Sequence, residues 1–125
     1  MTMRDSIHRA RLGNFRQEAD GTTIHEFRFS AADPTFAGHF PGGPILPGVF
    51  QLELARAAAE AELAAPLTVL EIIKAKFQRP ILPEETVRLA LKVSGAEGTI
   101  QVRARFSVAG QPAGETILSL RRNQN

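Results

Sequence analysis

Three groups able to share one reaction lie close together in this chain of 125 residues. His39 stands in a loop stiffened by Gly38, Pro41, Gly42, Gly43, Pro44 and Pro47; Gly48 opens the helix that follows, and Glu53 lies a little over one turn into it. An imidazole titrates near neutrality, so His39 can accept a proton at working pH. A carboxyl group can donate one when burial raises its pKa, which Val49, Phe50 and Leu54 are placed to do for Glu53. The N–H of Gly48 is a helix-start donor with no intrahelical partner, backed by the helix dipole. Glycine there permits close approach of a ligand, and Pro47 fixes the chain entering the helix. A general base, a general acid and an oxyanion donor are thus tied to one locus.

The rest of the chain must hold these groups. Its length predicts one domain with a single core, spanning 1–125 with the packed part at about 7–122. At 43% hydrophobic and 22% charged, the composition is that of a globular protein. No apolar run reaches membrane-span length, and the first residues lack the apolar stretch of a secretory signal. The absence of cysteine excludes disulfides and thiolate metal sites and fits a cytoplasmic location. His8, His25 and His39 show no ligand-type spacing, so no metal is expected. The formal charge is +2, with 12 arginines against 3 lysines, but they are scattered and not interleaved with aromatics. That argues against nucleic acid and leaves room for an acidic protein partner.

Residues 1–5 read as a loose end. Strand patterns cover Ile7–Phe15 and Thr22–Ser30; in the second, Thr23, His25, Phe27 and Phe29 share a face, which makes His25 a packed residue. A loop from Ala31 to Pro47 leads into an alanine-rich helix from Gly48 to about Ala65, stopped by Pro66. Four further strands are predicted at Leu67–Arg79, Thr86–Ser94, Thr99–Ala109 and Ala113–Arg121, and their short turns favour an antiparallel meander. One apolar helix among strands needs a sheet to bury it. The expected class is α+β, a long central helix wrapped by a curved antiparallel sheet.

The stretch from Phe36 to Glu53 resembles the FabZ-type 3-hydroxyacyl-(acyl-carrier-protein) dehydratases, whose signature His-Phe-Pro-Gly-x-Pro-Ile-x-Pro-Gly-Val precedes a helical glutamate. Lys74-Ala75-Lys76-Phe77-Gln78-Arg79-Pro80-Ile81-Leu82-Pro83 resembles a second segment of that family. The resemblance implies a hotdog fold and an enzyme that dehydrates a (3R)-3-hydroxyacyl thioester to the trans-2-enoyl thioester without a cofactor. The substrate would ride on the phosphopantetheine of an acyl carrier protein. His39, Glu53 and Gly48 would be the catalytic groups. Phe36, Phe40, Pro47, Val49, Phe50 and Phe77, with Ile45 and Leu46, would line the acyl site; Lys74, Lys76 and Arg79 would meet the carrier or its phosphopantetheine. It also implies a homodimer with each site between subunits, His39 from one chain and Glu53 from the other. Assembly into a trimer of dimers, or with a paralogue, stays open.

Two positions depart from the family pattern. Ala57 stands where a glutamine is usual, and Arg56 where a small residue is usual. Arg56 can pair with Glu53 at i+3 or with Glu60 at i+4, and the second pairing is expected here. An aspartate at position 53 would mark the related FabA-type isomerising enzymes, so Glu53 favours dehydration alone. A catalytically weak partner subunit, a hotdog thioesterase and a hydratase of CoA esters are the alternatives.

Overall fold

The computed structural model describes residues 2–36, 45–96 and 98–123. His39 and Phe40 lie outside the described residues. The chain starts with a helix, α1 (Met3–Ala10), where a loose end and a strand were expected. The signal for it is a capping box: the Asp5 N–H donates to Thr2 Oγ1 at 3.1 Å, and the Thr2 N–H donates to Asp5 Oδ2 at 3.2 Å. Ile7 and Ala10, three apart on one face, are buried together with Ser6. Of the strand expected over 7–15, only a single bridge between Arg11 and Phe27 forms, and β1 (Arg16–Gln17) follows it.

The β2 strand (Thr23–Arg28) is flanked by a loop with one 3₁₀ turn at Pro34–Phe36. Then come α2 (Gly48–Leu63), β3 (Leu67–Phe77), β4 (Thr86–Ala96), β5 (Thr99–Val108) and β6 (Gln111–Arg122). The six strands make one antiparallel sheet in the order β1-β2-β4-β5-β6-β3. Only β4-β5-β6 is a simple meander, because β3 lies at the far edge and pairs with β6. The segment joining β2 to β3 therefore has to cross the sheet, and α2 does so, touching β3, β4, β5 and β6 on the way.

Alternation explains the packing. On β5, Ile100, Val102, Ala104, Phe106 and Val108 are buried, whereas Gln101, Arg103 and Arg105 face outwards. On β2, Thr23, His25 and Phe27 are buried, with Phe29 just beyond it, as their shared face predicts. Leu54, Ala55, Ala58 and Ala59 form the fully buried stripe of α2, and the alanines let the helix lie close to the sheet. The helix ends at Ala64, which takes a left-handed conformation (φ 51°) just before Pro66.

The edge strand β3 is different. After Leu67 it leaves Leu70, Ile72, Ile73 and Phe77 about half exposed, and two register shifts bend it. Its outer side has no neighbouring strand among the described residues.

Candidate active site

Pro47 precedes α2 without a side-chain cap, so the helix start relies on backbone contacts. The Leu46 N–H donates to the Ile81 carbonyl at 2.7 Å, and the Phe50 N–H donates to the Pro47 carbonyl at 2.9 Å. These bonds hold Gly48 against the end of β3. A Cβ at residue 48 would come within 3.1 Å of the Phe77 ring, so any larger residue there presses on that ring. A cavity of about 250 Å³ opens at this point, lined by Ile45, Leu46, Gly48, Gln51, Phe77, Gln78, Arg79 and Pro80. Arg79 Nη2 bonds Glu85 Oε2 at 3.0 Å, and the same carboxylate accepts the Leu82 N–H, which fixes the loop behind the cavity.

Glu53 does not reach that cavity. It lines a second one, about 300 Å³, between α1 and α2, with Arg4, Ile7, His8, Arg11, Arg56, Ala57, Glu60 and Ala61. Five residues along a helix of about 3.6 residues per turn place Glu53 about 140° round from Gly48. Arg56 is bonded to Glu53, contrary to the Glu60 pairing expected from sequence: Nη2 and Nε donate to Glu53 Oε2 at 2.6 and 3.0 Å. Glu60 is engaged elsewhere. It accepts the Leu67 N–H at 2.8 Å, just past Pro66, and lies 3.6 Å from Arg4.

The other candidate residues fall into three groups. Phe77 and Arg79 join Gly48 at the first cavity. Phe36 and Phe50 belong to the hydrophobic core, where Phe50 meets Phe29 edge to face. Pro47 is half-buried and Val49 exposed, at the helix start. Lys74 and Lys76 lie on the exposed part of β3, and Lys74 Nζ bonds Glu115 at 2.7 Å. His25, expected to be packed, is buried under Phe15 with Nε2 2.7 Å from Glu62. Arg11 Nη1 lies 3.2 Å from its Nδ1; a guanidinium only donates, so Nδ1 accepts and Nε2–H donates to Glu62.

Gln51 went unread in the sequence. It is 3% exposed, on the buried stripe of α2 one turn before Leu54 and Ala55. A polar residue at i, i+3, i+4 spacing with core residues is the signal that marks it.

The family model for ApeI-like dehydratases matches residues 16–120. The chain belongs to this family. Among curated relatives, the 3-hydroxyacyl-(acyl-carrier-protein) dehydratase FabZ of Chloroflexus aggregans is 39% identical over 103 residues, 76% of this chain and 72% of that one. FabZ of Desulforamulus reducens is 37% identical over 97 residues, 71% of this chain and 68% of the relative. These matches make it a FabZ-type dehydratase relative, as the loop motif implies. Among solved structures, the ApeI:P dehydratase heterocomplex from Xenorhabdus doucetiae superposes with a TM-score of 0.76 at 26% identity, covering 90% of this chain and 96% of that one. A hypothetical thioesterase with coenzyme A from Streptococcus pneumoniae, 8% identical, shares the fold with a TM-score of 0.71 over 98% of this chain and 95% of that one. Among the described residues, no helix is long and apolar enough to cross a membrane.

Proposed function

We propose that this chain dehydrates a (3R)-3-hydroxyacyl thioester carried on an acyl carrier protein, as a cytoplasmic homodimer with the hotdog arrangement of α2 wrapped by the sheet. His39 removes a C2 proton while the thioester carbonyl, held by the Gly48 N–H, takes up enolate charge. The electron pair then forms the C2–C3 double bond, and the C3 hydroxyl leaves as water with a proton from Glu53. The products are the trans-2-enoyl thioester and one water.

The observation that carries this reading is that Gly48 and Glu53 line separate cavities of one chain. A site needing both a helix-start donor and the helical carboxylate is completed by Glu53 of a second copy. The half-exposed Leu70, Ile72, Ile73 and Phe77 on edge strand β3 supply a surface for that copy. The substrate enters beside Phe77 and Arg79, with Lys74 and Lys76 nearby to meet the carrier's phosphopantetheine phosphate. Phe36, Phe40 and Phe50 back the acyl chain, and Pro47 and Val49 shape the helix start.

A second reading rests on Arg56. By binding Glu53 it engages the carboxylate that would serve as acid, as expected of a weak subunit that pairs with a paralogue. Mass spectrometry of 3-hydroxyacyl carrier protein separates the readings. Loss of one water with wild type, abolished in His39→Ala and in Glu53→Gln, supports the dehydratase. No loss across several chain lengths from a folded dimer, with water loss restored by a paralogue, supports the partner subunit. Release of free acid identifies a thioesterase.

A further inference from the structure

The buried carboxamide of Gln51 has no role in the reaction as described above. Its Oε1 has no hydrogen-bond partner and no solvent contact. An unpaired buried amide group costs more than an apolar one of the same shape, so its presence on a core stripe requires a reason. The structure makes room for it. Residue 114 on β6 is glycine, and a Cβ there would stand 2.5 Å from Gln51 Oε1. With Oε1 sealed against Gly114, the amide end left to the cavity is its NH₂ group. Gln51 lines that cavity together with Gly48, and it lies one turn on from Gly48 with its side chain tilted back towards the helix start.

We propose that Gln51 Nε2 is a second oxyanion donor, acting beside the Gly48 N–H on the thioester carbonyl. This rests on the reading of the Gly48 cavity as the acyl thioester site. Much of the remaining cavity wall is apolar, from Ile45, Leu46, Phe77 and Pro80 beside Gln78 and Arg79, so an acyl group filling it would shield a donor there from water. Gln51 is accordingly a catalytic residue, touching the atom on which charge develops.

The test uses Gln51→Met, which keeps length and removes the amide. The melting temperature should hold or rise, because an unpartnered buried group is lost. With the 3-hydroxyacyl carrier protein, kcat should fall about 10²–10³-fold with little change in KM. An unchanged kcat in a folded variant would overturn the proposal. So would a rise in KM confined to thioesters bearing an amide N–H, which would put the carbonyl end of Gln51 at the cavity. If wild type releases free acid instead, the dehydratase reading fails, but hydrolysis also charges the carbonyl oxygen and the same fall in kcat is expected. If wild type turns over neither way, binding decides. Wild type should hold octanoyl-N-acetylcysteamine about three- to tenfold more tightly than the matching thioether without the carbonyl, and Gln51→Met should close that gap. Equal affinities in wild type would overturn the proposal.

Discussion

Gly48 and Gln51 turn one face of α2 towards Phe77 and Gly114 on the β3–β6 pair, whereas Glu53 and Arg56 turn another towards α1. The first face is packed against backbone and an aromatic ring, with glycines at both points of contact. The second lines a cavity rich in charged side chains, where Glu53 and Arg56 are about a quarter to a third exposed and bonded to each other. A fixed donor suits the first, since an oxyanion donor helps only if it is already in place. A carboxyl group that must exchange a proton suits the second. On the proposed reading, the difference teaches that one helix can serve two half-sites, each completed by a second copy of the chain.

The largest effect should come from the carboxylate. Glu53→Gln is expected to lower kcat about 10²–10⁴-fold with an unchanged melting temperature, as measured by turnover and calorimetry together. Among the described residues its ion-pair partner is a part-exposed arginine, and such pairs contribute little to stability. Equal loss of folding and activity would make Glu53 structural.

Gly48→Ala probes the other face more gently. The new methyl presses on the Phe77 ring, which is half exposed and can yield by a few tenths of an ångström. An approximately tenfold fall in kcat is expected, relieved in the double variant with Phe77→Ala. No relief would place the cause in the backbone rather than in the ring.

Acid should loosen the Glu53 side first. Asp33 carries a buried charge; burial works against it, but the Thr35 N–H, Ser6 Oγ and the Arg9 guanidinium outweigh that and hold its pKa below the ordinary value. Ser6 and Arg9 belong to α1, so this charge ties α1 to the loop. A depressed folded pKa gives stability that is present above about pH 3.9 and is lost as pH falls below it through the folded value. Hydrogen-exchange protection factors in α1 should fall below about pH 4, and Asp33→Asn should remove that pH dependence. The Gly48 cavity should be spared over the same range.

The smallest effect is expected from Arg56→Met. Freeing Glu53 from a part-exposed ion pair should raise kcat by about 1.5- to 5-fold, measured in steady-state kinetics. A fall would mean that Arg56 positions the carboxylate rather than restraining it.

Much of this arrangement is legible in the chain. The alanine-rich helix after Pro47 and the alternating strands on either side of Gly95–Gly98 follow from local pattern, which is strong over ten residues or more. α1 is short and largely polar, yet the capping pair Thr2 and Asp5 marks its start and its polar and apolar residues separate onto opposite faces. The place of β3 beside β6 is a long-range choice that no local pattern encodes. The partner of Arg56 turns on Leu67, whose N–H captures Glu60 from across a proline. Gln51 was hidden because a single glutamine in a helix reads as a surface residue until its neighbours on the stripe are known.

The central claim is that the site is shared between two copies of the chain. His39→Ala and Glu53→Gln variants, differently tagged, are to be co-expressed and the mixed dimer assayed for water loss from 3-hydroxyacyl carrier protein. Each variant alone should be inactive, and the mixed dimer should regain activity because one of its sites holds both native residues. A mixed dimer confirmed by native mass spectrometry but as inactive as its parents would contradict the account.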